Sequence, residues 1–158
     1  MIITPRPLTA EAFKPFGQVI ETNGHKPVMI NEGTTERYHA LAGVDVGEGG
    51  GIISIFRGSR RPLEIKMLER HPLGSQAFYP LEKAAWILVV SQAERPGSGD
   101  LEAFVATGDQ GVQYAKNTWH HPLLVLQETQ DYLVVDREGA GENLEEIFFD
   151  AVTVKLGQ

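Results

Sequence analysis

The chain has 158 residues, with 21 acidic against 14 basic side chains and a net charge of -7. That length predicts one domain over 1–158 with a core of its own, and the acidic balance argues against sequence-independent binding of nucleic acid. Cysteine is absent, which excludes disulfides, thiolate metal sites and a cysteine nucleophile, and suits a cytoplasmic protein.

The N-terminal stretch "MIITPRPLTAEAFKPFG" has no basic head followed by an apolar core, so no signal peptide is read there. Thr9 is placed to N-cap a short helix over "AEAFKPF", with Glu11 in its first turn and Gly17 as its stop. From "QVIE" onward the apolar segments are short and rich in β-branched or aromatic residues. Among them are "GIISIFRG", "AWILVVSQ", "LEAFVATG", "DYLVVDRE" and "DAVTVKLG", divided by turn signals such as "GEGGG", "ERPGSGD" and "REGAGEN". This spacing predicts an all-β sandwich or barrel with one or two short helices.

Three segments carry sharper expectations. "LEIKMLER" alternates, with Leu63, Ile65 and Met67 on one face and Glu64, Lys66 and Arg70 on the other. "HPLLVLQ" is apolar on both faces, which predicts burial between two packed sheets or against a partner subunit. "ENLEEIFF" fits a helical turn or an edge strand equally. The longest apolar run, "AAWILVV", is too short to span a membrane.

The polar residues that could do chemistry fall into four groups: Asn31, Thr34, Arg37 and His39; Arg70, His71, Ser75 and Gln76; Lys116, His120 and His121; Asp136 and Arg137. Ser75 has no nucleophile elbow around it. His71, Gln76 and His120 are the available metal ligands, and the set is too incomplete for a tight structural ion. No cofactor is required on this reading, and a loosely bound stimulatory divalent ion stays open. Acid–base chemistry on a small anion fits best, with Arg70 clamping a carboxylate beside His71 and Lys116 repeating the pattern near His120. Each residue also has a structural reading. Arg37 and Arg137 suit a solvated surface, and His39 suits a hydrogen-bonded core as well as a site. Ser75 and Gln76 could shape a turn, and Asp136 could cap a loop. The grouping carries the functional case.

The blocks "ERHPLGSQAFYPL", "WHHPL" and "LVVDREG", with "NEGTTERYHALA" and "SIFRG" in the first half, resemble the ureidoglycolate lyase family, also called ureidoglycolate hydrolase. The resemblance runs from "PLTAEAF" to "ENLEEIFF". It implies a cupin-like β-barrel, or double-stranded β-helix, and a homodimer. It also implies cleavage of (S)-ureidoglycolate to glyoxylate and urea in allantoin and purine breakdown. The general cupin pattern is degenerate here. His71 and Gln76 remain of its first motif, and its second reads "AKNTWH", ending at His120, with Asn117 at the expected glycine and Ala115 at the expected proline. Lys116 stands where arginine is common, which keeps the charge and loses the bidentate fork.

On this resemblance Arg70 holds the substrate carboxylate, one of His71 and His120 is the base, and the other helps protonate urea. Gln76, Ser75 and Asn31 hydrogen-bond the ureido group or product oxygen, Arg37 and Lys116 add positive charge, and Asp136 orients a histidine. Adjacent strand residues face opposite ways. The cupin register puts His120 inward with Pro122, Leu124 and Leu126, and His121 outward. The rival readings are a non-catalytic small-anion sensor on the same fold and a metal-dependent cupin enzyme.

Overall fold

Thr9 caps the start of the one α-helix among the described residues, its Oγ1 accepting from the Ala12 backbone N–H at 3.1 Å. In this computed structural model, which describes residues 1–157, helix α1 (Ala10–Phe13) is shorter than expected. It stops ahead of Pro15, which has no N–H to continue the ladder. Gly17 does not end the helix; it opens a strand at φ 150, where a Cβ would collide with the Gln113 carbonyl.

The strands in chain order are β1 (Ile2–Ile3), β2 (Arg6–Pro7), β3 (Gly17–Ile20), β4 (Val28–Ile30), β5 (Thr35–Arg37), β6 (Gly50–Ser59), β7 (Glu64–Arg70) and β8 (Gln76–Pro80). Then come β9 (Trp86–Ser91), β10 (Glu102–Ala106), β11 (Gly111–Tyr114), β12 (Trp119–His120), β13 (Leu124–Val125), β14 (Thr129–Glu138) and β15 (Glu145–Val154). One sheet runs β1-β15-β7-β12-β9-β10-β2, with β13 also on β9, and the other runs β3-β11-β8-β14-β6. From β7 to β15 the chain crosses repeatedly between the two sheets, as a cupin-like double-stranded β-helix requires. Hairpin β4–β5 pairs only with itself.

Two cores sit on the two faces of the first sheet. Phe78, Leu88, Phe104, Val112, Tyr114, Tyr132 and Val134 pack between the sheets. Ile65, Leu68, Ile87, Val89, Trp119, Leu124 and Val152 pack on the far side. Alternate residues of β9 feed each core, so every residue from Trp86 to Ser91 is buried. Full burial of each aliphatic side chain there contributes about 1.5–3 kcal/mol.

The two apolar faces of "HPLLVLQ" are covered within the chain, Leu124 in the far core and Val125 between the sheets. A partner subunit is not needed to explain them. The segment is also not one strand. β12 stops at His120 and β13 starts at Leu124, with Pro122 unable to donate to a ladder between them. Leu124 and Leu126 therefore do not share the face of His120, contrary to simple alternation.

The alternation of "LEIKMLER" also slips. Ile65 and Leu68, three apart, share the far core, next to a bulge in β15 between Phe148 and Val152. Beyond the slip, Leu68 and Arg70 face one way and Glu69 and His71 the other. "ENLEEIFF" leads into strand β15, not a helix. Among the described residues no helix is long and apolar enough to cross a membrane.

Candidate active site

A cavity of about 670 Å3 is lined by residues from both sheets. Its buried end holds Glu69, His71, Gln76 and His120, and its mouth holds Arg57, Arg61 and Leu144. Glu69 lies directly opposite His120 in the β7–β12 register, and His71 is two residues on, so all three share a face. Gln76 arrives from β8 in the other sheet, opposite Tyr114 of β11.

The turn before β12 depends on Asn117, which holds φ 69, a left-handed conformation asparagine tolerates. Its N–H donates to the His71 carbonyl at 2.9 Å, tying the two histidine segments together. The His120 ring stacks on Tyr114 at 4.2 Å between centroids and 16° between planes.

The ring nitrogens are assigned by their partners. His120 Nδ1 donates to the Thr118 carbonyl and His71 Nδ1 donates to the Asn143 carbonyl, both at 2.9 Å. A carbonyl only accepts, so in both neutral rings Nε2 carries the lone pair. Both Nε2 atoms are buried and have no partner among the described residues. Burial pushes the His120 pKa down to about 3, with the Thr118 bond opposing and His71 and His121 adding to the depression. Burial raises Glu69, with His71 opposing and Glu146 adding to the rise.

Ligand atoms of Glu69, His71 and His120 lie within 4.8 Å of one another. Two imidazoles and a carboxylate suit a divalent transition metal, and the two orphaned Nε2 atoms fit that use. The ligand set read from sequence lacked its anionic member, Glu69.

The structure brings His71, Gln76 and His120 together and places the other expected residues elsewhere. Arg70 points away from the cavity. Its guanidinium lies 4.4 Å from the Trp119 ring centroid and pairs with Glu145 at 2.7 Å. Strand alternation forces this, because Glu69 and His71 take the inner face. Ser75 is buried but bonds Asp45, accepting from its N–H at 2.8 Å. Lys116 lies 3.7 Å from Asp45 Oδ2, in a separate depression. Asn31 and Arg37 sit exposed on hairpin β4–β5, outside the cavity lining, and Asn31 bonds Thr35. His39 is exposed, not core. Asp136 accepts from Gln76 Nε2 at 3.1 Å and has no histidine partner among the described residues. Arg137 donates to the Val46 and Ala140 carbonyls, and His121 is buried outside the cavity lining.

Sequence reasoning missed Glu69, Arg57, Arg61 and Asn143. The Glu69-x-His71 spacing could have revealed the first, since residues two apart on a strand share a face. Asn143 arrives from a distant loop, and no local signal marks it.

Residues 1–156 match the protein family described as ureidoglycolate lyase. This chain belongs to the ureidoglycolate lyase family. Its relatives include ureidoglycolate lyases of Rhizobium etli, 52% identical over 92% of this chain and 90% of the relative, and of Brucella melitensis biotype 2, 52% identical over 98% and 94%. A third, from Burkholderia mallei, is 54% identical over 89% and 85%. Among solved structures the chain is similar to a dTDP-6-deoxy-D-glucose-3,5-epimerase from Legionella pneumophila at 13% identity, covering 88% of this chain and 81% of that one, with TM-score 0.47. An oxalate decarboxylase of Bacillus subtilis gives 11% identity, 90% and 29% coverage and TM-score 0.43. As a ureidoglycolate lyase the chain is a lyase acting on a small-molecule substrate.

Proposed function

We propose that (S)-ureidoglycolate is cleaved in the cavity of Glu69, His71, Gln76 and His120. The observation that carries this is the pair of unbonded Nε2 atoms on two histidines whose ligand atoms lie within 4.8 Å of each other and of the half-buried Glu69 carboxylate.

The reaction balances with one moving proton. The substrate carbon carries a hydroxyl, a carboxylate, a hydrogen and the ureido nitrogen. His71 Nε2 takes the hydroxyl proton, the C–N bond breaks as the glyoxylate carbonyl forms, and the same proton goes to the departing nitrogen to give urea. A separate acid is not needed. Glu69 stabilises the imidazolium that exists between the two transfers. His120, held neutral by burial, accepts a hydrogen bond from a ureido N–H through its Nε2. The carboxylate anchor expected at Arg70 passes to Arg61, which lines the mouth and has no ion pair among the described residues. Arg57 is already bonded twice by Asp131, at 2.8 and 3.0 Å.

A second reading is favoured by the same three ligands. A divalent ion on Glu69, His71 and His120 would act as a Lewis acid on the substrate hydroxyl.

A homodimer is supported by Ile53 and Ile55, 73% and 54% exposed on β6 at the end of its sheet. The cysteine-free chain is consistent with a cytoplasmic location. Incubation with racemic ureidoglycolate tests the reading. It predicts enantioselective release of glyoxylate; binding without turnover would support an anion sensor instead.

A further inference from the structure

We propose that Asp136 is a positioning residue that turns the Gln76 amide so that its carbonyl oxygen meets the N–H groups of the substrate's ureido end. This inference rests on the reading that ureidoglycolate is cleaved in this cavity.

Gln76 is 7% exposed, and its Nε2 donates to Asp136 Oδ2 at 3.1 Å. A carboxylate oxygen accepts, so the flipped amide would set oxygen against oxygen. Asp136 Oδ1 is itself buried without a partner among the described residues. The Gln76 Oε1 atom has no hydrogen-bond partner among the described residues.

The other groups at the buried end are also acceptors: the Nε2 lone pairs of His71 and His120 and the Glu69 carboxylate. The donors, Arg57 and Arg61, are at the exposed mouth. A ureido group offers three N–H donors and a carboxylate none. The ureido end therefore lies deepest, against Gln76, and the carboxylate lies outward near Arg61. A site lined by buried acceptors rejects ligands that leave those acceptors unpaired.

The test uses the full chain as wild type, Asp136→Asn, Gln76→Met and the double variant. Urea and glyoxylate serve as inhibitors of ureidoglycolate turnover, and metal content is measured in each protein. Asp136→Asn lets the Gln76 amide flip. It should raise KM and the inhibition constant of urea by roughly threefold to tenfold, the size of one neutral hydrogen bond, with kcat and glyoxylate inhibition little changed. Gln76→Met should do the same, and the double variant should add nothing further. If Asp136→Asn does not fold, a loss selective for urea in Gln76→Met supports the orientation, and an equal loss for urea and glyoxylate overturns it. Unchanged urea inhibition in a folded Asp136→Asn protein overturns the inference while wild-type turnover leaves the cavity reading intact. So does a lowered metal content that accounts for the change. Absence of wild-type turnover overturns both.

Discussion

The imidazoles of His71 and His120 lie 5.3 Å apart, centroid to centroid, and each presents an unbonded Nε2 to the same space. They come from different strands of one sheet, β7 and β12, and Glu69 sits directly across from His120 between them. Two buried imidazole acceptors with nothing to accept, beside a half-buried carboxylate, are costly. A ligand rich in donors, a proton or a cation would relieve that cost.

Arg70 and Arg61 should separate cleanly. Arg70→Ala removes the stacking on Trp119 and the pair with Glu145, a loss of about 1 kcal/mol. The expected outcome is a melting point lower by about 2–4 °C with near-normal kcat/KM. Arg61→Ala should instead raise KM for ureidoglycolate and leave melting unchanged. The opposite pattern would return the carboxylate anchor to Arg70.

Acid should destabilise the fold. Burial depresses His120 to about 3 and His121 to about 4. In the unfolded chain both return to the ordinary histidine value near 6.5. Between those limits the unfolded state binds more protons, so stability falls as pH falls through that window. Each histidine adds a slope of about 1.4 kcal/mol per pH unit, reaching its limit near its own folded value. Denaturant titrations from pH 7 to pH 4 measure this. His121→Gln should flatten the slope without lowering kcat at neutral pH.

The all-β class and the cap at Thr9 were legible in local sequence, because short β-branched segments and a capping threonine act over a few residues. The grouping of His71, Gln76 and His120 was legible through a family pattern. Arg70 was misplaced although local alternation was enough to place it: adjacent strand residues face opposite ways, so an inward His71 sends Arg70 to the other face and brings Glu69 in. Asp136 was expected to orient a histidine. Its partner Gln76 is 60 residues away, and only the packing of β8 beside β14 brings them together.

Chelation distinguishes the two readings of the triad. With His71 as the proton carrier, protein stripped of divalent ions should keep its glyoxylate release. A large loss restored by an added divalent ion would assign the chemistry to the ion. Binding of the ion alone, followed by spectroscopy of a cobalt-loaded sample, should disappear in Glu69→Gln if these three residues form the ligand set.

The dimer proposal rests on the outer face of β6. Replacing Ile53 and Ile55 together by lysine should convert a dimer to a monomer in sedimentation, because two charges would be buried in an apolar contact. A wild-type chain that sediments as a monomer would contradict it.

The most direct test of the central claim is kcat for ureidoglycolate cleavage by His71→Gln, a variant of similar size that cannot carry the proton. The account predicts a fall of roughly 10²–10⁴-fold, the usual worth of general acid–base help, with the fold and the affinity for urea retained. A kcat close to that of the wild type would contradict it.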